Sequence, residues 1–283
     1  IPTEIGLLDK LEIFNVQENG LLTGHIPSEI GVLVGLRDLL ITGNDLSGPI
    51  PSEIGLLHKL PILNVEELSL TGLLPTEIGM MESLESLLAK ENSMTGSIPS
   101  EIGQLTELGV LSLAGNDFTG SLPSQLFLSK RLTEMDLSRN DLSGSLPTEV
   151  GVLKLLENIN LGVNNFSGSI PTEIGLARSL EVIEIAANKF SGSFPTEIGL
   201  LVYLQDFFAN NNKFVGSLPT EIGLLIELEY LRFIKTEVTG TLPSEIGLLG
   251  RLQFLDMEYE NLVGPLPTEL GLLADLSKLN FAY

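Results

Sequence analysis

The chain has 283 residues, 43% of them hydrophobic, with 37 acidic and 15 basic side chains and a net charge of −22. A surface this acidic repels phosphate backbones and anionic bilayers, so nucleic acid and direct membrane insertion are not expected. No cysteine is present, which excludes disulfides, thiolate metal sites and thiol nucleophiles.

Proline sets the beat. It stands at Pro2, Pro27 and Pro51, then every 24 residues to Pro267. A fixed period in this range means coils of one small unit stacked into a solenoid. We expect a single elongated domain, 1–283, of about eleven full repeats. The chain opens mid-repeat at Ile1-Pro2 and stops mid-repeat at Tyr283, so a segment truncated at both ends is expected. No signal peptide is visible and no apolar run reaches the ~18 residues of a membrane span.

Within each unit, Ser or Thr follows the proline in all twelve copies, and Glu follows that in all but one, where Gln125 stands. Ser/Thr then Glu reads as a helix start, the hydroxyl capping free N–H groups. A glycine two residues after the Glu limits it to one short turn, expected to be 3₁₀. Nine residues past the proline comes an invariant leucine, from Leu11 to Leu276. Apolar residues three and five positions further on, such as Leu111 and Leu113, mark a short strand with one buried face. Copies joined by long crossovers pair in parallel.

An asparagine column follows: Asn19, Asn44, Asn92, Asn116, Asn140, Asn164, Asn188 and Asn212. Its side chain is expected to turn inward and satisfy backbone groups of its own and neighbouring coils. Leu68, Thr236 and Glu260 break the column and are expected weak points. A complete glycine column, Gly24 to Gly264, predicts positive φ or close coil contact. The apolar residue before each proline reads as extended, so a second short strand is expected there. Two copies are irregular. The first carries an extra residue at Asn19-Gly20-Leu21-Leu22, expected to bulge. The sixth, Ser124-Gln125-Leu126-Phe127, is expected to change its loop.

The stretch Leu108-Gly109-Val110-Leu111-Ser112-Leu113-Ala114-Gly115-Asn116, followed by Asp117-Phe118-Thr119-Gly120-Ser121-Leu122-Pro123, resembles the plant-type leucine-rich repeat. Similar units build the ectodomains of receptor-like kinases and receptor-like proteins and the polygalacturonase inhibitors. The resemblance implies an α/β solenoid, a right-handed arc or horseshoe with a concave parallel β-sheet. Short secondary strands and 3₁₀ turns would occupy the other sides. It implies ligand binding on the concave or lateral surface. Cysteine-paired caps, usual in those ectodomains, do not occur in this chain.

The residues between the inward leucines are expected on the open face of the sheet. The richest group is Asp206 and Phe208, Tyr230 and Arg232, Phe254 and Asp256, with Tyr259 just beyond. Aromatics with arginine are common anchors of protein contacts, so these seven are the candidate ligand site. Aromatic packing against a neighbour is the competing account. The Glu column could be a cation ladder and the Ser/Thr column an ice-binding array, but capping explains both. Asn165-Phe166-Ser167 is the one N-glycosylation triplet, with Asn165 as acceptor. His25 and His58 lie in different copies, and no nucleophile elbow, phosphate loop or metal-ligand spacing occurs.

The expected function is therefore non-catalytic recognition of a protein or peptide ligand, without cofactor or metal. An extracellular or cell-surface setting is expected. The alternatives are a structural or adhesive spacer, an ice- or polysaccharide-binding array, and a cytosolic interaction scaffold.

Overall fold

The coil between Pro99 and Pro123 shows how the 24-residue beat becomes structure. Ser100–Gln104 forms one 3₁₀ turn, closed by the Ile102 N–H donating to the Pro99 carbonyl at 3.2 Å. Ile102, Leu105 and Leu108 are buried. The chain then runs straight through Val110–Ser112, with Leu111 and Leu113 inward. It turns at Gly115 and Asn116, makes a second strand over Asp117–Gly120 with Phe118 inward, and returns to Pro123. One coil cannot enclose these side chains; its neighbours above and below do.

The computed structural model describes residues 1–282, and the chain divides into two compact units, Ile1–Leu142 and Ser143–Tyr283. In the first unit the primary strands are Ile13–Asn15, Asp38–Leu40, Ile62–Asn64, Ser86–Leu88, Val110–Ser112 and Glu134–Asp136. They pair in parallel without slippage, Ser86 against Val110 and Val110 against Glu134. In the second unit they are Asn158–Asn160, Val182–Glu184, Asp206–Phe208, Tyr230–Arg232, Phe254–Asp256 and Lys278–Asn280. Each unit is thus a stack of parallel coils with 3₁₀ turns, the architecture of a leucine-rich-repeat solenoid.

The second strand of each coil lies earlier than the proline motif implies. It covers Asp45–Gly48, for example, and not Ile50-Pro51. It ends at the glycine of the column, which takes φ near +77° to +90° from Gly24 to Gly264. That left-handed step turns the chain out of the ladder before the proline arrives.

The tight column is a different glycine, the one inside the 3₁₀ turn. A Cβ on Gly223 would lie 2.5 Å from the Glu245 carbonyl oxygen of the next coil. In the sixth copy Phe127 takes this place, fully buried, and the 3₁₀ turn Ser124–Leu128 keeps its usual five residues. The loop change expected there does not occur.

The Ser/Thr column does not cap. The N-cap residue is the proline itself, and no side-chain cap bond forms at any of the twelve turns. The hydroxyl is already inside the turn, too late to reach the free N–H groups. It donates instead to the carboxylate of the next residue, as Ser100 does to Glu101 at 3.1 Å.

The asparagines behave as expected. Asn116 Nδ2 donates to the carbonyls of Ala89 at 2.9 Å and Leu113 at 3.1 Å, and Oδ1 accepts the Met94 N–H at 3.0 Å. Asn92, Asn140, Asn188 and Asn212 repeat this pattern. Asn164 donates to Leu161 and Gly162. Asn44 donates to Val16 and Ile41, but its buried Oδ1 has no partner. The extra residue of the first copy precedes Leu22, the counterpart donor, and throws Leu21 into solvent, 85% exposed.

Two of the expected weak points are repaired. The Glu260 carboxylate accepts from the Thr236 N–H at 2.6 Å, the Thr236 hydroxyl at 2.7 Å and the Val238 N–H at 3.1 Å. Leu68 is buried but brings no polar atom to the column.

One column escaped the sequence. The residue before each asparagine position takes positive φ, from Glu18 at 55° to Tyr259 at 62°, with glycine only at Gly43 and Gly115. No residue type marks it, and it persists at Glu67, Lys235 and Tyr259, where no asparagine follows, so the turn of the coil itself imposes the backbone conformation.

Candidate ligand-binding face

The strand pattern alternates one buried residue with two that face solvent. In the second unit Phe207, Leu231 and Leu255 point into the core. Their neighbours line up across the sheet by register. One row runs Asp206, Tyr230, Phe254, Lys278; the next runs Glu184, Phe208, Arg232, Asp256, Asn280. Six of the seven residues singled out in the sequence therefore share one face.

The rings touch. Tyr230 and Phe254 stack with centroids 4.9 Å apart and planes 17° apart; Phe208 meets Tyr230 at 6.5 Å. All three are half-buried, so the cluster still offers surface. It rests on an aromatic core. Phe194 lies 4.4 Å from Phe214 and 4.7 Å from Phe233, and Phe207 meets Phe233 edge-on at 5.3 Å.

Charges frame the rings. Asp256, only 1% exposed, accepts from Lys278 Nζ at 2.7 Å on Oδ2, with Arg232 Nη2 at 3.8 Å from the same oxygen. Its Oδ1 has no partner. Burial raises the Asp206 carboxyl above its ordinary range, and Glu229 nearby raises it further. Burial also raises Glu184, offset by the Ala186 N–H and by Arg232. Lys278 and Glu184 lie outside the seven residues singled out, although each occupies the next position of one of these rows.

Tyr259 does not lie in these rows. It stands on the left-handed residue past its strand, with Lys235 Nζ 5.5 Å above its ring. Asn165 opens a secondary strand and its Oδ1 accepts from Lys189 Nζ at 2.7 Å. The two histidines serve separate backbone contacts, His25 with the Ser47 carbonyl and His58 with the Met80 carbonyl. Among the described residues no helix is long and apolar enough to cross a membrane.

The Leucine Rich Repeat family pattern matches residues 131–153. Among solved structures, the chain is similar to the plant peptide hormone receptor RGFR1 in complex with RGF2. Identity is 32% and TM-score 0.89, over 99% of this chain and 49% of that one. A leucine-rich repeat protein of Leptospira interrogans is 32% identical with TM-score 0.74, over 99% of this chain and 74% of that one. A plant ice-binding protein is 26% identical with TM-score 0.71, over 89% and 82%. The chain spans about half the length of the plant receptor. No curated protein matches it. The repeat read from the residues, the coils they form and the Leptospira relative agree: the chain belongs to the leucine-rich repeat family, in its plant-type form.

Proposed function

We infer that the chain is a non-catalytic recognition scaffold that binds a peptide or protein segment on the solvent face of its primary sheet. The setting that suits it is the outer part of a receptor-like or secreted protein. The observation that carries this reading is the contact of Phe208, Tyr230 and Phe254 on a surface built from backbone ladders. Aromatic surface held rigid costs little entropy to bury, so it anchors a partner efficiently. Arg232 and Asp206 supply polar partners around the rings, the buried Asp256 positions Arg232 and Lys278, and Tyr259 extends the surface at the strand ends. The plant receptor to which the chain is similar was solved with its peptide hormone, which supports a peptide as ligand class. Asn165 is the proposed glycan acceptor, on a secondary strand and not on this face.

The exposed hydroxyl row favours no rival. Every hydroxyl of the row except that of Ser124, which precedes Gln125, is paired with a strongly hydrated carboxylate, a poor template for ordered water or sugar.

The test is selection from a phage-displayed library of random peptides on the intact chain, followed by affinity measurement on Tyr230→Ala and Phe254→Ala. A class of the selected peptides is expected to lose at least tenfold in affinity, about 1.4 kcal/mol. A library from which no peptide is weakened by either variant would overturn the reading.

A further inference from the structure

The first unit carries a hollow of its own on the same face of the primary strands. It has a volume of about 250 Å³ and is walled by Leu40, Ile62 and Leu88, with Gln17, Thr42 and Asn64 at its edges. Ile62 is 48% exposed, and Leu40 and Leu88 are half-buried. These three are not core residues. The inward set of the same strands is Leu39, Leu63 and Leu87, each nearly inaccessible. Leu40 and Leu88 therefore occupy positions that solvent-facing polar residues fill in other coils, such as Asn15 and Asn64. Arg37 and Asp38 also line the hollow, and their charges offset each other.

A second hollow of about 310 Å³ adjoins it, sharing Thr42 and Asn64. Its wall is acidic: Glu18, Glu66 and Glu67. Glu18 and Glu67 are on the left-handed column, at φ 55° and 52°. Lys90 pairs there with Glu66, its Nζ 3.8 Å from the carboxylate and its side chain 43% exposed. Burial raises the Glu66 carboxyl, and Glu67 adds to this. Three carboxylates thus line the hollow, and one of them, Glu66, has a loosely paired ammonium.

We propose that the two hollows form one docking site for an extended peptide segment, one aliphatic or aromatic side chain filling the Leu40–Ile62–Leu88 hollow and a Lys or Arg nearby entering the Glu18–Glu66–Glu67 hollow. Charge complementarity selects the occupant. An acidic or neutral segment would leave the carboxylates repelling each other, and a purely basic one would leave the aliphatic wall in water. The site needs nothing from the aromatic face of the second unit.

The same random-peptide library decides it, with the parent chain compared against Ile62→Glu and against the double variant Glu66→Gln/Glu67→Gln. These positions are on the surface, and circular dichroism checks that both variants fold. A class of selected peptides is expected to combine an apolar residue with Lys or Arg within about four positions. This class should bind each variant at least tenfold more weakly, bind Tyr230→Ala normally, and weaken as salt is raised. The proposal is overturned if no such class is enriched. It is equally overturned if the class tolerates Ile62→Glu, which would make the contact merely electrostatic, or tolerates the glutamine pair. A library yielding only peptides that are lost on Tyr230→Ala and Phe254→Ala would support the aromatic site and overturn this one.

Discussion

Single polar side chains decide whether these coils close. Asn116 satisfies three backbone groups from inside the stack. Asn116→Ala leaves the Met94 N–H buried and unpaired, while the Ala89 and Leu113 carbonyls keep the amides of Asn92 and Asn140. A loss of about 1–3 kcal/mol is expected, read from the midpoint of urea unfolding. Asn44→Ala should cost less, because its oxygen is already unpartnered. Glu260 offers a pH signature. Burial raises its carboxyl despite three donors. A raised folded value means the folded state favours the protonated form. Its stabilising contribution is therefore complete below the ordinary carboxylate range and is lost as pH rises through the raised value. Glu260→Gln removes that dependence. Thermal unfolding from about pH 4.5 to 7 should show a flatter profile for the variant, with the gain relative to the parent chain growing toward pH 7. A profile parallel to the parent chain's would count against this account.

The recurring elements owe their spacing to glycine and their pairing to register. The 3₁₀ turns stack so closely that a methyl on Gly223 meets the next coil's backbone. Gly250, by contrast, has nothing within 4 Å and no positive φ. Gly223→Ala is expected to destabilise by about 1–3 kcal/mol, the cost of overpacking. Gly250→Ala should be neutral or slightly stabilising. Urea midpoints of the two variants test the pair; equal effects would mean that coil-to-coil contact is not what the turn glycine provides. Register also makes the ligand face. Because Tyr230 and Phe254 are direct cross-strand partners, their rings stack, as side chains about 5 Å apart must.

The period runs unchanged through the boundary at Leu142 and Ser143, and on that ground we propose that the whole chain unfolds as one domain. Calorimetry should give a single transition; two resolved transitions would make the units independent domains. The leucine columns, the parallel strands, the 3₁₀ turns and the asparagine clamp were all legible in the residues, because each recurs at a fixed offset and averaging over twelve copies removes noise. The two adjacent rows that hold Tyr230 and Phe254, and Phe208, were legible for the same reason: period-two alternation places these residues outward. What recurs in no residue type was invisible. The left-handed column accepts Glu, Arg, Val, Ala, Asn, Lys and Tyr alike, since the turn of the coil sets the backbone with or without an asparagine beside it. The Ser/Thr hydroxyl looked like a cap because sequence cannot tell one turn position from the next. The shared hollows beside Ile62 and Glu66 depend on side chains from successive coils meeting in space. Periodicity by itself determined which residues face inward and which strands are neighbours; only three-dimensional packing decided how outward side chains combine, because that depends on distances between coils that no single coil encodes.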